Sequence, residues 1–197
     1  MTLIQSLLAV PASAPRVVLL IEVLIEMASK DFIKGFRHEL ANRAFAFLAI
    51  ERMAERFVGH EHGLFWKSYL DLEVFNRPHY ALAARRWGQG TAPGMLTRLK
   101  ALAVSSLPAR LHGPLLRFIY RETLKYLEWL KKLRRQGPAN ARRFLEYMVE
   151  QEEVQLEMMR LALAGRYTEI ASCADDFFCK YNGSVRLFDD GEAGKLR

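Results

Sequence analysis

Glu51 is the first residue whose position suggests chemistry. It lies between Phe47 and Ala54 on a stripe that includes Ile33, Phe36, Leu40, Ile50 and Phe57, at alternating steps of three and four. Such spacing puts these side chains on one helix face, so a carboxylate among them is expected to point inward. An inward carboxylate needs a partner, because an unpaired buried charge is costly. Arg43, two turns away near the same stripe, and His79 are candidates, and a bound cation is a third. Folding the chain at Gly59-His60-Glu61-His62-Gly63 sets Glu51 level with Glu73, with Asn76 and His79 following on the same face.

The second half of the chain carries further carboxylates. Glu122 flanks an apolar face, and folding at Pro138 sets it opposite Glu152 and Glu153. Glu146, Glu150, Glu153 and Glu157 form an acidic ridge, while Arg117, Arg121, Lys125 and Lys132 form a basic one. Two level ridges of opposite sign predict a salt-bridge ladder between helices. His60 and His62 belong to the hinge, where solvated turn residues are the expectation. His38 and His112 show no partner by spacing. Aromatic residues crowd the first hairpin, as core or as the lining of an apolar pocket beside Glu51, Asn76 and His79. No nucleophile elbow, phosphate-binding loop, dinucleotide fingerprint or catalytic Cys–His pair is present.

The elements that position these groups read as helices throughout. Asp31 to about Val58 is one, with Asp31 as its cap. Gly63 to Trp87 is the next, with a kink or break at Pro78, which removes a hydrogen bond and crowds the Val74 carbonyl. Glycines and prolines multiply from Gly88 to Gly113 around a short helix, Met95 to Ser105. Leu115 to Gln136, Asn140 to Ala164 and Tyr167 to Tyr181 follow, each ended by Gly, Gly-Pro or Asn-Gly. Before them all, Arg16 to Ser29 reads as a helix with a broad apolar face, a candidate for dimerisation. The order is hairpin, long crossover, hairpin, which makes the third long helix parallel to the second. Residues 1–183 read as one helical domain and 184–197 as a loosely held tail.

Composition narrows the function. The chain has 197 residues and a formal charge of +7, which suits an acidic partner: nucleic acid, anionic lipid or an acidic protein surface. Motifs for reading nucleic acid are missing. Two cysteines six apart point in different directions on a helix and predict free thiols. Val17 to Ala28 is too short and too acidic to cross a bilayer, so the reading is of a soluble, cytoplasmic protein.

Two long hairpins joined by one crossover, from Asp31 to Ala164, resemble the ferritin-like superfamily. Members typically hold two metal ions with a Glu from each of two helices and a Glu-x-x-His from each of the others. The resemblance implies Glu51, Glu73, Glu122 and Glu153 as metal ligands, with His79 as a substitute imidazole and iron or manganese as the ion. Here Asn76 stands at one histidine position and Glu150-x-x-Glu153 carries no histidine. The implied site is therefore degraded or atypical, without classical di-iron chemistry, in a protein that binds an acidic partner or a small apolar ligand. The enzymatic alternative is an iron-dependent oxidase or hydroxylase acting on an apolar small molecule. A haem-oxygenase-like bundle is the alternative architecture.

Overall fold

A computed structural model describes residues 28–183 and 185–189. Six α-helices make up the described chain: α1 (Lys30–Arg56), α2 (Gly63–Arg86), α3 (Met95–Ser105), α4 (His112–Gln136), α5 (Arg142–Leu163) and α6 (Ile170–Lys180). No strand occurs among the described residues. The apolar helix expected before Ser29, and with it the dimerisation reading, lies outside them. None of the described helices is long and apolar enough to cross a membrane.

The long helices α1, α2, α5 and α4 form a closed ring of neighbours. α6 packs against α2 and α5, and α3 lies along α1. At the α1–α2 hinge, Gly59 has φ of 79°, a left-handed value that a side chain would strain. A β-carbon at Gly63 would collide with the Phe57 carbonyl oxygen, so the turn closes only around glycine. α1 begins one residue earlier than expected because Ser29, not Asp31, caps it; its side chain accepts from Phe32 N at 3.1 Å. Pro78 neither ends α2 nor interrupts its assigned span. The carbonyl it cannot pair with belongs to Val74, an exposed residue, so water can satisfy it.

The crossover is tied at both ends. Arg37 Nε donates to Gln89 Oε1 at 3.0 Å, and Arg56 Nη1 donates to the carbonyls of Ser105, at 3.0 Å, and Leu107. It therefore runs back along α1, and α4 starts beside the start of α2: the His62 and His112 rings stack at 3.9 Å. α2 and α4 run parallel.

The core is layered along the bundle. Around the start of α1, Phe32, Phe36, Trp87 and Phe144 pack edge to face. At the opposite end Phe57, Trp66 and His112 meet. The middle layer is polar. On α5 this is plain in the sequence of buried positions, where Phe144, Leu145 and Met148 are followed by Gln151, Glu152 and Gln155, then by Met158, Met159 and Ala162.

Part of the segment expected to be a loose tail is docked. Leu187 and Phe188 are buried, Phe144 N donates to Leu187 O at 3.0 Å, and Asp189 N donates to Asn140 O at 2.9 Å. Phe188 stacks on Phe144 and meets Trp87 edge-on. Two apolar side chains covering an aromatic layer outweigh the lack of local structure. Phe188→Ala should lower unfolding free energy by about 2 kcal/mol, read from urea titration followed by tryptophan fluorescence.

Candidate functional site

Arg43 is the centre of the polar layer. On α1 the residues Phe36, Arg43, Ile50 and Phe57 recur every seven positions and are all buried, so the inward face of the helix passes through the arginine. Its Nη1 donates to Glu73 Oε1 of α2 and its Nη2 to Glu152 Oε2 of α5, both at 2.8 Å. Its Nε lies 3.2 Å from Glu39 Oε1, one turn back on α1. Three carboxylates from three helices thus surround one guanidinium, and none of the four side chains exceeds 8% exposure.

A ring of neutral donors supports them. Tyr80 Oη donates to Glu39 Oε1 at 2.8 Å, and Tyr126 of α4 donates to the other oxygen of Glu39. Gln155 Nε2 donates to Glu73 Oε1 at 2.8 Å while its carbonyl accepts from Tyr69 Oη at 3.1 Å. Tyr147 donates to Asn76 Oδ1. The fourth helix, α4, therefore contributes a phenol rather than a charge.

Burial sets the protonation. It pushes the Glu73 carboxyl up, against the pull of Arg43, and it carries Glu152 from 4.5 to about 7 against the same pull. Burial alone would lower the arginine, but Glu73, Glu152 and Glu39 more than offset it and hold Arg43 well above its ordinary value. Burial, and then the nearby carboxylates, raise the phenols of Tyr69 and Tyr126, which stay protonated as donors. The stoichiometry matters: three ionised carboxylates against one guanidinium would leave two negative charges uncompensated in a dry layer. A proton on Glu152 removes one.

A cavity of about 470 Å³ opens onto this layer between α1 and α4. Ala46, Ala49, Ile50, Met53 and Ile119 supply apolar walls, and Arg43, Glu152, Tyr69, Thr123 and Tyr126 lie at its polar end. Phe118, Glu122 and Lys125, all exposed, form the rim. Trp66 also lines this cavity, and its indole Nε1 is buried without a hydrogen-bond partner. A smaller hollow of about 300 Å³ reaches Arg43, Glu73 and Asn76 from the α2 side.

The five residues expected around a metal do not come together. Glu73 lies in the buried cluster. Glu51 is only half-buried, because it follows Ile50 by one residue and so is turned about 100° away from the Arg43 face. The expected Glu51–Arg43 pair is therefore replaced by pairing of Arg43 with Glu39, Glu73 and Glu152. Glu122 pairs with Lys125 at 2.7 Å and Glu153 with Lys131 at 3.5 Å, both at the surface. His79 is half-buried, edge-on to Phe75 and Tyr147, its pKa lowered by burial. Among the described residues no three His, Cys, Asp or Glu side chains are grouped to hold a metal. The donors also do not fit an iron or manganese pair, since a fixed guanidinium already stands among the inward carboxylates.

Other expectations resolve similarly. Lys131–Glu153 joins α4 to α5, but the ladder is otherwise replaced by short-range or α6 pairs: Arg160–Glu157, Arg142–Glu146 and Lys180–Glu150. His112, without an evident partner in sequence, stacks on His62, whose Nδ1 is 2.7 Å from Tyr167 Oη. Burial, then the neighbouring His62, lowers the His112 pKa to about 4. Cys173 and Cys179 are free thiols. Arg85, Arg86, Lys132, Arg135, Arg142 and Arg143 are exposed. Glu39, Gln151 and Gln155 are the inward residues that sequence reading missed; their signal was the seven-residue spacing from buried apolar neighbours. Compared with protein-family models, curated proteins and solved structures, the chain finds no match.

Proposed function

We propose that this chain is a ferritin-like bundle whose centre carries an arginine–carboxylate cluster rather than a metal pair, and that it binds a small apolar molecule there. The observation that carries the reading is the cavity: apolar walls end on a buried ion pair, Arg43–Glu152. A volume of about 470 Å³ suits one small molecule. The hairpin–crossover–hairpin order and the parallel course of α2 and α4 support the ferritin-like organisation.

The polar end selects the head group. Arg43 is already engaged by three carboxylates, so it has little to offer an incoming acid, and a further anion would add to an excess of negative charge. Glu152 offers a hydrogen-bonding partner there, an acceptor when ionised and a donor when protonated. A hydroxyl or amide head suits either form, since it can both donate and accept, and it brings no further charge into the layer.

Titration with a ten-carbon alcohol, followed by tryptophan fluorescence, should saturate, and the fatty acid of equal chain length should bind at least about tenfold more weakly. Ala46→Phe, which fills the cavity, should remove binding while circular dichroism stays helical. Equal or tighter binding of the acid, or binding indifferent to Ala46→Phe, overturns the assignment. Stoichiometric iron or manganese in protein purified without chelators would instead favour the oxidase reading.

A further inference from the structure

The outer face of α3 carries an inference that does not depend on the cavity's ligand. At about 100° per residue, Leu102, Met95, Leu99, Ala103 and Leu96 fall within one arc of about 120°. Ala101 and Ser105, the two buried residues of the helix, lie on the opposite side, against the bundle. The apolar arc thus points to solvent: Met95 is 79% exposed, Leu96 65%, Leu99 56% and Leu102 46%. Ordinary amphipathic helices hide that face.

Charge frames the arc. Arg98 lies about 40° beyond one edge and Lys100 about 40° beyond the other. Both are exposed. Within α3 and the loops on either side of it, from Gly88 to Leu111, the charged residues are Arg98, Lys100 and Arg110, with no aspartate or glutamate. An apolar crest flanked by cations, in a stretch free of acids, is the pattern of a helix that lies in the boundary of an anionic bilayer. The crest is convex and offers lipid an edge to receive, whereas a folded protein partner would have to supply a groove. Two copies meeting face to face would set the Arg98 and Lys100 flanks against each other. The bonds from Arg56 to Ser105 and Leu107 hold the helix in place for such a role.

We propose that α3 is a membrane-docking helix that inserts Met95, Leu96, Leu99 and Leu102 into the surface of an anionic bilayer. Val104 of the same helix, about 80° beyond the apolar arc, and the exposed Phe118 of α4 both line the cavity, so α3 borders the cavity on a side other than the docked face.

Co-sedimentation of the full chain with vesicles tests this. Binding is expected to phosphatidylcholine vesicles containing about one third phosphatidylglycerol, not to phosphatidylcholine alone, and should weaken as salt is raised. Leu96→Gln/Leu99→Gln should weaken it about tenfold or more, and Arg98→Glu/Lys100→Glu about as much. All four positions are exposed, so circular dichroism and unfolding midpoints should not move. Failure of the unaltered chain to bind, or leucine variants that bind as well as it does, overturns the assignment. A dimer in gel filtration that Leu96→Gln/Leu99→Gln converts to monomer also overturns it, making the face a contact between copies.

Discussion

Arg43→Met should cost about 3–5 kcal/mol of folding stability at neutral pH, which is a large part of what a domain of this kind possesses. Methionine replaces the stem and fills most of the space, so little of the loss is cavity. What remains is three carboxylates facing one another in a layer where none exceeds 3% exposure and no cation balances them. The variant must either tolerate that repulsion or take up protons that its unfolded chain would release. Two further measurements separate this cause from packing. The loss should shrink toward pH 5, where protonation is cheap, and it should be largely recovered by adding Glu39→Gln, Glu73→Gln and Glu152→Gln, which keep the acceptors for Tyr80 and Gln155. Urea midpoints that fall equally at both pH values, or a quadruple variant as weak as the single one, would sink the electrostatic account.

The contribution of Glu152 to stability should fall as pH rises from about 4.5 to about 7. In this window the folded chain holds on Glu152 a proton that the unfolded chain has released, since burial raises the folded value from 4.5 to about 7. At this site the folded state holds more of the proton, so the carboxyl's contribution falls with each step upward, by up to about 1.4 kcal/mol per pH unit and about 3 kcal/mol across the window. Glu73, shifted in the same direction, adds to the trend. His112 opposes it: its lowered pKa means the unfolded chain takes the proton first as pH falls from 6.5 toward 4, which destabilises the acid side. The difference between the unaltered chain and Glu152→Gln isolates the carboxyl. Unfolding free energies from urea titrations at half-unit pH steps should show that difference changing across the window and flat above it. A difference independent of pH would refute the assignment.

The helices were legible because their signals are local. Met95–Ser105 is bounded as its flanking glycine and serine suggest, and Gln136 ends α4 before Gly137-Pro138. The polar centre was only half legible, for a geometric reason. On a broad apolar stripe, moving the assumed midline by one residue turns every inference by about 100°. Centring α1 on Phe47 made Glu51 inward, whereas centring it on Phe36, Arg43, Ile50 and Phe57 makes Arg43 inward and turns Glu51 aside. The same slip on α5 drew attention to Glu150 and Glu153, which meet lysines at the surface, and away from Gln151 and Gln155. The tyrosines reveal nothing of their role in sequence, because Tyr80, Tyr126 and Tyr147 find their acceptors on other helices. Glu73 and Asn76 were placed rightly since α2 has apolar residues on either side of them in register.

Trp87 makes a different demand on the chain, one of timing. Its indole touches Phe32 at 4.8 Å, Phe36 at 4.6 Å, Phe144 at 5.8 Å and Phe188 at 5.9 Å between ring centroids. These partners come from the beginning, the middle and the end of the described sequence. The α1–α2 hairpin can form as soon as both helices exist, but this aromatic layer brings together residues more than 150 positions apart, from Phe32 to Phe188. Contacts so distant along the chain are slow to find. During synthesis the layer stays open until Phe188 has been added, so this part of the bundle closes only after α6 and the segment that follows it have been made.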